Sequence, residues 1–140
     1  MWATFDETKY PEISVKFEGS LRNKSEYNFF TDKWLELYEK KQNFYYIFDT
    51  TNCGSVNLSY SFRMANFIKK LKRRPEQYLD FSVIIYKSKW IRFLLKTIFT
   101  LQSPVAPVYI IEQNDYKPEM IENIKNNSIP PCANVFVPSN

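Results

Sequence analysis

NFYYIFDTTNCGS, residues 43–55, is the stretch whose reading decides the fold. Its apolar run, FYYIF at 44–48, suits a strand covered on both faces, as strands of parallel sheets are. The run stops at Asp49. A polar loop follows and leads into a helical pattern. Strand, loop and helix in that order make the repeating unit of an α/β domain.

Working outward, the same alternation recurs. Upstream, residues 2–5 (WATF) suit a short edge strand and TKYP (8–11) a turn. In EISVKFE (12–18), Ile13, Val15 and Phe17 point one way, and Ser14 and Lys16 the other, the period of a half-buried strand. Gly19 closes it. Asn23 with Glu26 three residues later makes a capping box, and Tyr27, Phe30, Trp34, Leu37 and Lys41 continue at helical spacing. Downstream of the central run, a helix spans about Leu58 to about Arg73. Its buried side is expected to be Tyr60, Met64, Phe67, Ile68 and Leu71, and Pro75 lies just past its end. FSVIIY (81–86) is a strand, KWIRFLLKTIFTL (89–101) a greasy helix, and VYII (108–111) another strand. PEMIENIKNN (118–127) is a last helix with Pro118 in its first turn. NVFV (134–137) is available as an edge strand. The expectation is one α/β domain over residues 1–140, ordered β-β-α-β-α-β-α-β-α. Its sheet is mixed and mostly parallel, with about five strands flanked by about four helices.

Composition bounds the chemistry. At 140 residues the chain is long enough for one core without metal or disulfide staples. Aromatics make up 18%, and there are only two glycines, which leaves no material for a glycine-rich phosphate loop. Plentiful Lys, Asn, Tyr, Phe and Ile fit an AT-rich coding genome, such as that of a large DNA virus or a protist. Net charge is +4, too small to name a partner by itself. MWATFDETKY lacks the apolar core of a signal peptide, and no run of about 18 apolar residues is present to cross a membrane. Cys53 and Cys132 are expected as reduced thiols in a cytoplasmic setting, host cytoplasm or virion for a viral source.

The chain has no histidine. Ser-His-Asp and Cys-His catalysis and histidine-bearing metal sites are therefore out of reach. Two cysteines do not make a four-thiolate site. No cofactor, metal or catalytic residue is expected, and the chain reads as a non-enzyme.

Three surfaces are candidates for binding. Asp49, Thr50, Thr51, Asn52 and Ser55 sit beyond the carboxyl end of the central strand, where open α/β sheets bind ligands, and next to a helix N-terminus that favours anions. The same residues also suit plain loop closure, with Ser55 or Asn57 capping the next helix and Cys53 either activated or buried and inert. Lys69, Lys70, Lys72, Arg73 and Arg74 place five cations in six positions, fit for phosphates of nucleic acid or lipid, or simply for wetting a helix end. In the 89–101 helix, apolar residues cover nearly half the circumference, more than one sheet contact needs. The surplus, chiefly Trp90, Phe93 and Phe99, is free to meet a second subunit, a membrane surface or an acyl chain, unless flanking elements cover it.

The opening hairpin, the alternating elements and IFDTTN at the end of a central strand resemble the SpoIIAA-like group, which includes STAS and lipid-binding CRAL-TRIO domains. The stretch from Leu71 to Ile111, with its Pro-Glu step and greasy helix, is similar to CRAL-TRIO domains in element order. The STAS resemblance implies a phosphorylated serine at the start of the helix after the central strand. There the chain reads NCGSVNLS, without the Asp-Ser pair, so Ser55 and Ser59 are positional candidates. The CRAL-TRIO resemblance implies a lipid or other apolar ligand. The function expected is a non-catalytic binding or protein-interaction module, a homodimer or a partner of another protein. The alternatives are an apolar-ligand carrier and a binder of nucleic acid or anionic membranes through Lys69–Arg74.

Overall fold

The computed structural model describes residues 1–139. The chain runs β1 (Ala3–Lys9), β2 (Glu12–Phe17), α1 (Lys24–Glu39), β3 (Phe44–Asp49), α2 (Ser59–Lys72), β4 (Leu79–Tyr86), α3 (Lys89–Leu101), β5 (Val108–Glu112), α4 (Glu119–Lys125) and β6 (Asn134–Phe136). All six strands form one sheet, in the order of the sequence. The three inner pairings are parallel, and the two outer ones, β1 with β2 and β5 with β6, are antiparallel. The sheet is thus mixed rather than mostly parallel and has six strands rather than about five. The sixth is NVF, which pairs Ile110 with Asn134 and closes the far edge. The first strand extends past Phe5 to Lys9 because its polar residues 6–9 lie at an edge, where only one side of the ladder needs a partner.

Strict sequence order has a geometric result. Right-handed crossovers that always step in one direction place their helices on one face. Accordingly α1, α2 and α3 share a core with Ile13, Val15, Tyr46, Phe48, Ile84 and Ile110. Tyr45, Phe81, Val83, Ile85 and Ile111 point to the opposite face, where Ile121 and Ile124 of α4 cover them. The run at 44–48 is indeed buried by two layers, Phe44, Tyr46 and Phe48 into one and Tyr45 into the other.

Aromatic rings fill much of the first layer. Trp2 meets Phe17 at 4.7 Å between centroids, Trp34 meets Tyr46 at 4.8 Å, and Tyr46 meets Phe48 at 4.4 Å. At α1, Asn23 Oδ1 accepts from the Glu26 amide at 3.1 Å, while the Glu26 carboxylate accepts from Arg22 rather than Asn23. Ser88 caps α3, accepting from Trp90 and Ile91. The buried side of α2 is Ser61, Ala65, Ile68 and Leu71, with Tyr60, Met64 and Phe67 only half-buried. The face is turned from the expected one because small residues let α2 lie close against α3: the Ser61 hydroxyl donates to the Leu94 carbonyl at 3.4 Å.

Candidate functional site

The loop after β3 is positioned as expected, beyond the carboxyl end of a central strand. Its polar groups, however, are spent on the loop itself. Asp49 Oδ1 accepts from the Thr51 amide at 3.0 Å and the Thr51 hydroxyl at 2.7 Å. Thr50 donates through both its amide and its hydroxyl to the Ile85 carbonyl. The Cys53 amide donates to Thr50, that of Gly54 to Gly19, and that of Ser55 to the Ser20 hydroxyl. Asn52 contributes its carbonyl to the Gly19 amide. At the start of α2 the Ser59 amide donates to Asn57 Oδ1 at 2.8 Å. An anion at a helix N-terminus needs free N–H groups; the Ser59, Tyr60 and Ser61 amides that open α2 donate to Asn57 and Leu58, and five of the six amides at 50–55 are engaged in the loop before it. Strand order also never reverses, so the sheet edge lacks the crevice that a reversal opens. Asp49 and Thr51 thus close the turn on itself, Thr50 ties it to β4, and Asn52 and Ser55 join it to residues 19–21. Ser55 and Ser59 are exposed hydroxyls. Burial pushes the Cys53 thiol up, only partly offset by the Trp2 indole, which disfavours the reactive thiolate.

The five cations of the basic run differ in their contacts. Lys72 turns inward to donate to the Ser103 hydroxyl and the Ser139 carbonyl. Arg74 pairs with Glu39 at 3.6 Å and lies over the Tyr38 ring. Lys69, Lys70 and Arg73 are exposed.

The α3 surplus divides as well. Phe99 is half-buried and stacks on Phe136 of β6 at 5.3 Å, so the C-terminal tail covers it. Trp90 and Phe93 stay outside, 44% and 50% exposed and stacked on each other. The Trp90 indole N–H donates to the Val56 carbonyl at 2.9 Å, which fixes the ring on the surface.

Beneath these helices lies the feature that the residue pattern did not announce. A cavity of about 140 Å³ lies between the sheet and α1, α2 and α3. Its walls come from the sheet (Phe48, Ile84, Val108), from α1 (Tyr27, Phe30, Trp34), from α2 (Met64, Ile68) and from α3 (Leu94, Leu95, Ile98, Phe99). Few polar groups reach it. Thr50 and Ser61 donate to main-chain carbonyls. Ser82, alternating with Ile84 and Tyr86 on this face of β4, is 2% exposed and makes no side-chain hydrogen bond among the described residues. Trp2, whose indole lies beside the Cys53 thiol, and Trp34 line it too, and neither buried indole N–H makes a regular hydrogen bond among the described residues. Burial pushes the Tyr27 phenol up to about 12, so it stays neutral at the cavity wall. The one sequence signal was Ser82 itself, a lone serine inside FSVIIY.

Among the described residues, no three His, Cys, Asp or Glu side chains gather as a metal-binding set, and no helix is long and apolar enough to cross a membrane. Compared with family models, curated proteins and solved structures, the chain matches none of them.

Proposed function

We propose that this chain is a non-catalytic binding module for a small apolar ligand, or for the apolar end of a larger one, held between the sheet and helices α1–α3. The observation that carries this reading is the cavity. A cavity of about 150 Å³ lined by Leu, Ile and Phe stays dry and takes up benzene, and the 140 Å³ here is lined almost wholly by apolar atoms. It suits about six carbon atoms, well below the several hundred Å³ of a typical drug-sized pocket. The Ser82 hydroxyl adds one hydrogen-bonding position, so a ligand with a single polar atom is favoured over a hydrocarbon. The lipid-carrier alternative drawn from the CRAL-TRIO resemblance points the same way, and the SpoIIAA-like reading itself is supported by element order alone. An interaction-module reading is supported separately by exposed Trp90 and Phe93; these are on the solvent side of α3, and the cavity is on its sheet side, so one does not preclude the other.

The test pairs native mass spectrometry of protein from its expression host with NMR titration by benzene and by alcohols and alkanes of matched length. Saturable binding is expected, with the alcohol preferred roughly tenfold, about the worth of one buried hydrogen bond. Ser82→Val should abolish that preference. A clean apo mass together with no saturable shift for any probe overturns the reading.

A further inference from the structure

We propose that the outer face of α2 and α3 docks on an anionic phospholipid bilayer. The inference rests on that outer surface and not on whether the cavity is filled. Together the two helices carry Arg63, Lys69, Lys70, Lys72, Lys89, Arg92 and Lys96, and neither contains an Asp or Glu. The chain has 19 cations and 15 acids. Removing these seven leaves twelve cations against fifteen acids elsewhere, so the whole positive excess resides in this pair of helices. All but Lys72 are exposed, and none of the six forms an ion pair among the described residues.

Large apolar side chains stand among these charges. Phe62 is 53% exposed, Phe93 50% and Leu101 51%, and Trp90 is held at the surface by Val56. The Ser61–Leu94 hydrogen bond brings the helices side by side, and Phe62 and Phe93, each next in sequence to one of its partners, are both exposed. Cations that meet head groups and aromatic or aliphatic side chains that enter the acyl boundary make an interfacial helix surface. A bilayer uses Trp90, Phe93 and Leu101 alike. Single-stranded nucleic acid would stack on the rings but gains nothing from Leu101, and a protein interface selects against lysine in its core.

The test is co-sedimentation of the intact protein with phosphatidylcholine vesicles, with and without phosphatidylserine, alongside a fluorescent oligothymidylate. Binding is expected only to the serine-containing vesicles and should be lost at high salt. Each Lys or Arg near an anionic surface is worth about fivefold in partitioning, so Lys70→Ala, Arg92→Ala and Lys96→Ala together should weaken binding about a hundredfold. These are exposed helix positions where alanine is well tolerated, and circular dichroism checks the fold. Trp2 and Trp34 are buried, so a blue shift of tryptophan emission on binding reports Trp90; Trp90→Phe should bind yet lose the shift. No binding to phosphatidylserine vesicles, equal binding without that lipid, indifference to the triple substitution, or tighter binding to the oligonucleotide through the same residues overturns the proposal. Ser82→Val should leave sedimentation unchanged, which separates this surface from the cavity.

Discussion

Replacing Ser82 by valine tests the cavity from inside. Ser82 lies at the centre of the sheet, paired with Tyr46 on one side and Val108 on the other, and lines the cavity. Valine removes a buried hydroxyl that makes no hydrogen bond among the described residues, worth about 1–3 kcal/mol. It also adds carbon, at about 0.8 kcal/mol per buried methylene, and has a better strand propensity than serine. Part of that gain is offset by side-chain ordering and imperfect fit, so about 2 kcal/mol of added stability is expected. The ceiling is set by the cavity itself: at about 24 cal/mol per Å³, its 140 Å³ corresponds to roughly 3 kcal/mol. The entropy of unfolding is about 2.1 cal/mol/K per residue. Over 140 residues this makes 2 kcal/mol worth about 7 °C in Tm. Thermal unfolding followed by circular dichroism reads it, on protein refolded from denaturant so that no carried ligand contributes. A Tm that is unchanged or lower would mean that the space beside Ser82 does not exist and would remove the basis for a cavity ligand.

Three further outcomes follow from the same packing. Burial pushes Tyr27 and Tyr38 up to about 12, and Tyr46 is raised as well. The stability that these neutral phenols contribute is intact below the ordinary tyrosine value of about 10 and is lost as pH climbs through their folded values. Alkaline unfolding should therefore begin above about pH 10, coincident by circular dichroism and tyrosinate absorbance; free titration of all tyrosines in a still-folded protein contradicts their burial. Gly54→Ala places a methyl group 2.7 Å from the Ser20 hydroxyl and 3.0 Å from the backbone of Gly19 and Ser20. It should cost about 1–3 kcal/mol in urea titrations, and a neutral result would show that the two loops are not locked. Ser88→Ala removes the cap of α3 and should cost about 1 kcal/mol, whereas a silent substitution would mean that the helix start is held by packing alone.

Element order and most boundaries were legible because they depend on local pattern. FYYIF reads as a doubly covered strand, and KWIRFLLKTIFTL matches α3 residue for residue. Features that depend on distant partners were less so. Periodicity places Phe99 on the apolar arc but is silent about Phe136, which covers it. Hydrophobicity favours Tyr60 and Met64 as the inner face of α2, yet close helix approach selects Ser61 and Ala65, whose smallness carries no such signal. The cavity is of the same kind. It arises where rigid rings from α1 fail to fill the space left by α2, α3 and a serine on β4, and no single segment contains that mismatch. At Asp49 the position was readable, but the commitment of the surrounding amides required knowing that residues 19–21 lie alongside.

The unbroken strand order bears on how the molecule is made. Every strand pairs only with its neighbours in the chain, so no strand must be threaded between two already joined. Each new βα unit can close on the one before it, with loop-closure entropy limited to a single crossover. Synthesis from the N-terminus could thus build the sheet as a growing ribbon, starting from the β1–β2 hairpin. Besides the outer edge of β1, the growing end of the ribbon presents an open strand edge, first β2, then β3, β4 and β5, and an open edge recruits other chains. The three-residue β6 pairs with β5 and leaves a shorter edge at that side, and α4, at residues 119–125, covers the second face late in synthesis. Aggregation during synthesis, rather than instability of the finished fold, is the hazard this architecture carries until its final strand is in place.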